Sequence, residues 1–395
     1  MPLPRAWLNA KQLYCEFAVT MTTTTINPDH YQQQLEDKVS ALRQQFGEVL
    51  SEHALPSGID IFASPPLHYR MRAEFRIWHE GDTCHYAMYR QGESNKPYII
   101  DDFTAGSPTI VKLMPALLAK LNANKDLKRR LFCVEFLTTQ SGEALITLIY
   151  HRPLDDSWRE PAAVLAEQLG CGLIGLIGRS RKVKIVIGLD YVLEQLSVAD
   201  QTYTYQQVET GFTQPNAAIN EQMLGWAKQQ CGQYNSVEQD DLLELYCGNG
   251  NFTVALASEF RRVLATEVSK LSVKSARYNL SANHIDNVTL VRMSSEELSE
   301  AMAGVRPFRR LREIDLNSYN FNSVLVDPPR AGLDDDTLGL LEPFETIVYI
   351  SCNPETLLSN LHSLSSTHYI AAFAVFDQFP YTHHLECGVV LRKHP

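Results

Sequence analysis

Residues 241–252 read DLLELYCGNGNF. A short strand, Asp241 to Tyr246, runs into a turn with glycine at positions 248 and 250, and helix-forming sequence resumes at Asn251. Strand, tight glycine turn and helix in that order open a Rossmann-like unit. Apolar strand signals recur at Val263 to Thr266, Val288 to Val291, Ser323 to Val326, Thr346 to Ser351, Ala371 to Phe376 and Gly388 to Arg392. Helical stretches such as Asn251 to Glu259 and Lys270 to Ala282 separate the earlier ones. This alternation predicts an α/β domain on a mostly parallel, seven-stranded sheet, with ligands at the carboxyl ends of its strands.

The loop itself points to a nucleoside. Gly248 and Gly250 let the backbone turn tightly and approach a ligand, but the third glycine of the dinucleotide fingerprint is absent, since position 253 is Thr. No glycine-lysine pair for phosphate follows either. Glu267 closes the next strand (RVLATE, 262–267), where a carboxylate can accept both hydroxyls of a ribose. A nucleoside without a pyrophosphate signature favours S-adenosylmethionine over NAD.

Two later strand ends carry reactive groups. SVLVDPPRAGL (323–333) puts Asp327 at a strand end ahead of two prolines, which hold the chain extended and offer no N–H groups. Arg330 follows as a fixed cation. IVYISCNPETL (347–357) puts Cys352 directly after a strand, with Asn353 as an N-cap and Pro354 in the first turn of a helix. A thiol at a helix N-terminus is expected to have its thiolate stabilised. Residue type alone leaves Cys352 open between a small buried core residue and a nucleophile. Its shared level with Asp327 and the glycine loop favours the nucleophile. Cys247 and Cys387 read as packing residues. In FDQFPYTHHLECGVVL (376–391), position and composition assign Glu386 no role, and the adjacent His383 and His384 are expected to point apart, which argues against a metal site.

The 395 residues suit two domains. Residues 1–20 show neither an apolar signal core nor a cleavage site and are expected to be a disordered extension, with Met21 reading as a natural start. An N-terminal domain is expected over 21–200: an amphipathic helix near Tyr31 to Leu50, then strands at Tyr69 to Trp78, His85 to Arg90, Pro97 to Ile100, Cys133 to Thr139 and Ala144 to His151, with a helix from Ser107 to Asn122. In YRMRAEFRIW (69–78), Met71, Ala73, Phe75 and Ile77 alternate with Arg70, Arg72, Glu74 and Arg76, which predicts a half-buried strand with a three-arginine outer face. Net charge is −11, but it is unevenly spread: residues 60–190 hold 17 Lys/Arg against 15 Asp/Glu, and 191–395 hold 14 against 25. The net charge by itself argues against an RNA partner; any RNA-contacting surface would lie on the N-terminal half, with Arg70, Arg72 and Arg76 as candidates for phosphate contacts or, equally, a solvated strand face. Phe132, Phe379 and Tyr381 are candidates to stack with a base, although aromatic residues are more often core. Eight scattered cysteines without a C-x-x-C pair argue against a zinc or iron–sulfur site and suit a reducing cytoplasm.

Taken together, LLELYCGNGNF, VDPPRAGL, ISCNPETL, FPYTHHLECGVVL, YRMRAEFRIWH and GFTQPNAAIN resemble the RNA 5-methyluridine methyltransferase family, on the side of its tRNA enzymes, over nearly the whole chain from about Met21. The resemblance implies a class I (Rossmann-like) S-adenosylmethionine-dependent methyltransferase domain over 201–395 and an α+β antiparallel-sheet RNA-recognition domain over 21–200. It also implies that Cys352 is the nucleophile and Glu386 the proton acceptor. By the same resemblance Gln214, Tyr246, Asn251, Glu267 and Asp327, with Gly248 of the loop, hold the cofactor. The implied substrate is the T-arm of tRNA at uridine 54, with ribosomal RNA or tmRNA as the alternative, and Arg330 and Phe132 belong to the substrate side. The cysteine cluster and extra barrel domain common in ribosomal-RNA relatives are missing here, which favours tRNA. A monomer without metal is expected. Adenine amino-methylation needs no cysteine and usually shows an aromatic residue after the two prolines, where this chain has Arg330. A non-catalytic RNA-binding protein would leave the strand-end residues without purpose.

Overall fold

The computed structural model describes residues 26–50, 55–56, 58–89, 97–170 and 173–395. The expectation for residues 1–20 lies outside them, as do Cys15 and Cys171. In the N-terminal half the strands are β1 (Asp60–Phe62), β2 (Arg72–Glu80), β3 (Thr83–Tyr89), β4 (Pro97–Ile99), β5 (Leu131–Thr138), β6 (Ala144–Tyr150), β7 (Ile174–Ser180) and β8 (Val183–Ile187). Seven of them form one sheet in the order β4-β3-β2-β5-β6-β7-β8. Its pairs are antiparallel except β6 with β7, which the helix Arg159–Gly170 joins as a parallel crossover. The hairpin of β9 (Tyr191–Val198) and β10 (Gln201–Val208) follows.

The apolar half of the alternation behaves as the sequence implies. Ala73, Phe75 and Ile77 are buried against the helices Pro108–Ala123 and Arg159–Gly170, in a core with Leu113, Leu117 and Trp158. The arginine half corrects the expectation of a solvated face. Strand β2 begins only at Arg72; Arg70 precedes it, is 6% exposed, and bridges to both Gly106 and Asn216. Strands β7 and β8 have no counterpart among the expected strands. Gly178 is there so that the Trp158 ring can lie on the strand: an added Cβ would come within 2.8 Å of it.

In the C-terminal half come β11 (Asp241–Leu245), β12 (Arg262–Thr266), β13 (Val288–Val291), β14 (Phe321–Val326), β15 (Thr346–Ser351), β16 (His368–Phe376) and β17 (Glu386–Lys393). All seven expected strands form, and the sheet gains an eighth, in the order β1-β16-β17-β15-β14-β11-β12-β13. Only β17 runs antiparallel to its neighbours. The extra strand, β1, comes from the N-terminal half and pairs in parallel with β16. Three residues are too short to show a period, and their effect is to cover an edge that would otherwise be unpaired.

A second N-terminal element joins the same core. The helix Tyr31–Val49 buries Tyr31, Leu35, Val39, Leu42 and Phe46 along one stripe. That stripe packs with Tyr349 of β15, Phe373 and Val375 of β16 and Leu357, Leu361 and Leu364 of the helix Pro354–Leu364. Phe46 meets Phe373 edge-on with ring centroids 5.5 Å apart. Phe46→Ala is expected to cost about 3–5 kcal/mol, as for other buried aromatic truncations, measured by urea unfolding of the full chain.

Candidate active site

Four strand ends converge. At the end of β11 the chain leaves extended geometry: Tyr246, Gly248 and Gly250 have φ of 60°, 56° and 80°. For glycine this conformation costs little, and Gly250 N–H closes the turn on Cys247 O at 2.8 Å. A Cβ on Gly248 would meet nothing within 4 Å, so the loop opens onto free space. The Glu267 carboxylate, just past β12, accepts from Gly248 N–H at 3.0 Å and from Ser269 N–H at 2.6 Å. Asn251 starts the next helix and forms a reciprocal amide pair with Asn220, at 2.8 and 2.9 Å. Tyr246 OH lies 2.7 Å from Ser295 Oγ, and Gln214 Oε1 accepts from the buried Gln378 Nε2 at 2.9 Å.

Asp327 follows β14 directly, and burial pushes its carboxyl up to about 7. The Pro329–Gly332 turn behind it is docked on the helix Pro354–Leu364 and its cap. Asn353 Nδ2 and Thr356 Oγ1 both donate to Arg330 O, at 3.0 and 3.2 Å, and Leu333 N–H donates to Asn360 Oδ1 at 3.0 Å. Gly332 (φ 77°) has no room for a side chain, since an added Cβ would sit 2.8 Å from Asn360 Oδ1. Asn353 caps its helix as expected, its Oδ1 accepting from Glu355 N–H at 3.2 Å.

The antiparallel register of β15 and β17 brings the two remaining groups together. Thr346 pairs with Arg392, Ile350 with Gly388 and Ser351 with Cys387. One step further along that register sets Cys352 opposite Glu386, itself the first residue of β17 and the partner of Phe376 on β16. Glu386 is 6% exposed; burial first, then the neighbouring Asp327, pushes its carboxyl up to about 8. Cys352 is half-buried. Its thiol is pushed well above the ordinary value by burial, by Glu386 and by Asp327. The Arg330 guanidinium and a backbone contact pull the other way and are outweighed, so the expected stabilisation of the thiolate by the helix N-terminus does not dominate here. Cys247 and Cys387 are buried with their thiols pushed up by burial.

The sequence reading passed over Glu244, although an acid inside LLELY is itself a signal. It is 1% exposed on β11, its Oε2 has no partner among the described residues, and burial, with Asp327 nearby, pushes it up to about 8. The buried Asp327 carboxyl, the Glu267 acceptor pair and the open space over Gly248 form an acid-rich cradle. A nucleoside that carries hydroxyls and positive charge fits it.

The N-terminal candidates divide. Arg70 Nε donates to Arg72 O at 2.8 Å, and its guanidinium stands 5.8 Å from the Phe379 ring centre. Arg72 donates to Gly211 O at 2.7 Å and to Glu209 O, so it grips the segment that leads to Gln214. Arg76 lies 3.9 Å over the Phe132 ring, and Phe132 stacks on His151 with centroids 3.7 Å apart. His151 was missed, because a lone histidine at a strand end carries no signal by itself. Phe379 and Tyr381 are buried in the core. The rings of His383 and His384 lie 4.0 Å apart on an irregular turn and do not point away from each other as expected for regular structure. Glu74, Cys133 and Glu135 bring ligand-type atoms within 4.8 Å of one another on β2 and β5. Burial first, then the two carboxylates, push the Cys133 thiol well above its ordinary value.

Comparison with known proteins places this arrangement. The tRNA (uracil-5-)-methyltransferase family model matches residues 30–394. The tRNA/tmRNA (uracil-C(5))-methyltransferase of Vibrio vulnificus (strain CMCP6) is 54% identical over 378 residues, covering 94% of this chain and all of that protein. The protein of the same name from Pseudomonas aeruginosa (strain LESB58) is 54% identical over 375 residues, with 94% and 100% covered. Among solved structures, Pyrococcus abyssi tRNA (uracil-54, C5)-methyltransferase in complex with S-adenosyl-L-homocysteine superposes with a TM-score of 0.66 at 20% identity, covering 91% of this chain and 83% of that one, which shows the shared fold. The chain therefore belongs to the tRNA (uracil-5-)-methyltransferase family.

Proposed function

We propose that this protein methylates carbon 5 of uridine 54 in the T-loop of tRNA, working as a monomer without metal, with Cys352 as covalent nucleophile and Glu386 as proton acceptor. The observation that carries the reading is the β15–β17 register, which sets thiol and carboxyl opposite each other beside Asp327. The Vibrio and Pseudomonas relatives are named for tRNA and tmRNA alike, so a T-arm of the same shape in tmRNA is the second substrate. A nucleophilic thiol needs a reducing compartment, which places the enzyme in the cytoplasm. Among the described residues no helix is long and apolar enough to cross a membrane.

Uracil carbon 5 is a weak nucleophile. The Cys352 thiol gives up its proton to solvent, the thiolate bonds through Sγ to carbon 6, and the electrons of the 5,6 double bond move toward oxygen 4, giving carbon 5 enolate character. The Arg330 guanidinium is the cation available to that oxygen. When bound, S-adenosylmethionine supplies a methyl carbon activated by a sulfonium and a positive charge that offsets the Asp327 and Glu386 carboxylates. Gln214, Tyr246, Gly248, Asn251, Glu267 and Asp327 would hold it. Glu386 then removes the carbon 5 proton, the double bond re-forms, and Sγ leaves carbon 6. The base must leave its stack, at a cost of a few kcal/mol. The Arg76–Phe132–His151 stack on the N-terminal sheet offers an aromatic and cationic surface to T-loop nucleotides.

A T-arm stem-loop with 5-fluorouridine at the target position is expected to form a covalent complex that survives denaturation, and Cys352→Ala to form none while still binding RNA. A Cys352→Ala enzyme with near-normal turnover refutes the assignment. Glu386→Gln is expected to lower kcat roughly 100- to 10,000-fold and to accumulate methylated adduct on ordinary uridine RNA.

Phe132→Ala removes the ring in contact with both Arg76 and the exposed His151, and so takes away the support of the His151 ring. It is expected to weaken T-arm binding by about 1–3 kcal/mol, the worth of one base stacked on His151, with S-adenosylmethionine binding unchanged by calorimetry. Unaltered RNA affinity would remove Phe132 from the interface.

Glu386, Glu244 and Asp327 have folded values above their ordinary ones, so each favours the folded state at low pH and loses that contribution as pH rises through its folded value. The ligand-free enzyme should therefore lose stability between about pH 4 and pH 8, and Glu244→Gln should flatten that slope in thermal melts taken across the range.

A further inference from the structure

The segment between β16 and β17 carries Glu386, yet it is held from the far end of the chain. Lys38, on the helix Tyr31–Val49, sends its Nζ to Asp377 Oδ1 at 2.7 Å, Phe379 O at 3.0 Å and His384 O at 3.2 Å. All three ammonium protons are thereby used, and the two carbonyls stand at the two ends of the turn that precedes Glu386. The pair is buried, Lys38 being 7% and Asp377 0% exposed. Two further residues of the same helix complete the grip. Tyr31 OH donates to Asp377 Oδ2 at 2.8 Å, and Gln34 Oε1 accepts from Tyr381 N–H at 2.8 Å. Tyr31, Gln34 and Lys38 recur at positions i, i+3 and i+7, one face of one helix.

Burying an ammonium and a carboxylate is costly, and apolar residues of similar volume would stabilise the same contact as well or better. Such a pair specifies geometry more than it adds stability. Here the geometry it specifies is that of the turn ending two residues before Glu386. Resting on the reading of Glu386 as proton acceptor, we propose that Lys38 is a positioning residue for carbon 5 deprotonation, acting with Asp377 and Tyr31 to hold the 377–384 turn so that Glu386 faces the adduct on Cys352.

The test is Lys38→Met, which keeps the apolar stem and removes the charge, assayed as full-length enzyme on a T-arm stem-loop with ordinary uridine and methyl-labelled S-adenosylmethionine. Glu386→Gln runs in parallel. The expected result is a kcat lower by about a hundredfold, the scale of misplacing a catalytic group by about 1 Å. KM for both substrates should be unchanged, and methylated covalent RNA–protein complex should accumulate as it does in Glu386→Gln. A purely structural role would lower the melting temperature and slow every step together, without trapped complex. Wild-type kcat, or lost activity without trapped complex while Glu386→Gln traps it, overturns the inference. If Glu386→Gln traps nothing, the acceptor role of Glu386 itself fails, and this inference falls with it. Should Lys38→Met not fold, Tyr31→Phe decides: trapped complex with slowed turnover supports the proposal, and wild-type behaviour overturns it.

Discussion

Strand β17 enters the sheet between β15 and β16 and runs against both, and the placement of the reactive groups follows from that pairing. In a sheet whose other strands run parallel, residues at the carboxyl ends all lie on one rim. An antiparallel insertion brings its first residue to that rim, where its neighbours bring their last. Glu386 opens β17 while Cys352 follows the end of β15 and Asp327 follows the end of β14. A slip of one residue in this register would turn Glu386 to the other face of the sheet. Val389, Leu391 and Cys387 on one face of β17 and Val390 on the other pack into two separate cores, which pins the register from both sides.

The rim is also an electrostatic arrangement. Three carboxyls, those of Glu244, Asp327 and Glu386, sit where burial favours their neutral forms, and Asp327 raises the other two further. Burial first, then Glu386 and Asp327, push the Cys352 thiol up as well, against the opposing pull of Arg330.

Much of this was legible in the chain. Glycines at 248 and 250 after an apolar strand, and Asp327, Cys352 and Glu386 at later strand boundaries, all lie where the α/β pattern put them. Local signals failed where tertiary contacts decide. Arg70 looked like part of a solvated stripe, but the strand starts two residues later and the side chain turns inward. β1 is too short to show a period, and the glycines of β7 disguise a strand over which Trp158 packs. Nothing near Lys38 in sequence hints at Asp377, because their relation exists only once the two ends of the chain meet.

That meeting has a consequence for how the molecule comes to exist. The helix Tyr31–Val49 and β1 are made early, and their packing partners, β16 and its neighbours, are among the last residues to be synthesised. During translation the early helix must wait with its apolar stripe uncovered, while the N-terminal sheet, whose strands pair within residues 72–187, has its partners in hand. Contacts of such wide sequence separation form slowly. A nascent chain still attached to the ribosome can thus own a paired N-terminal sheet and no finished strand-end site, which closes only when the polypeptide is whole.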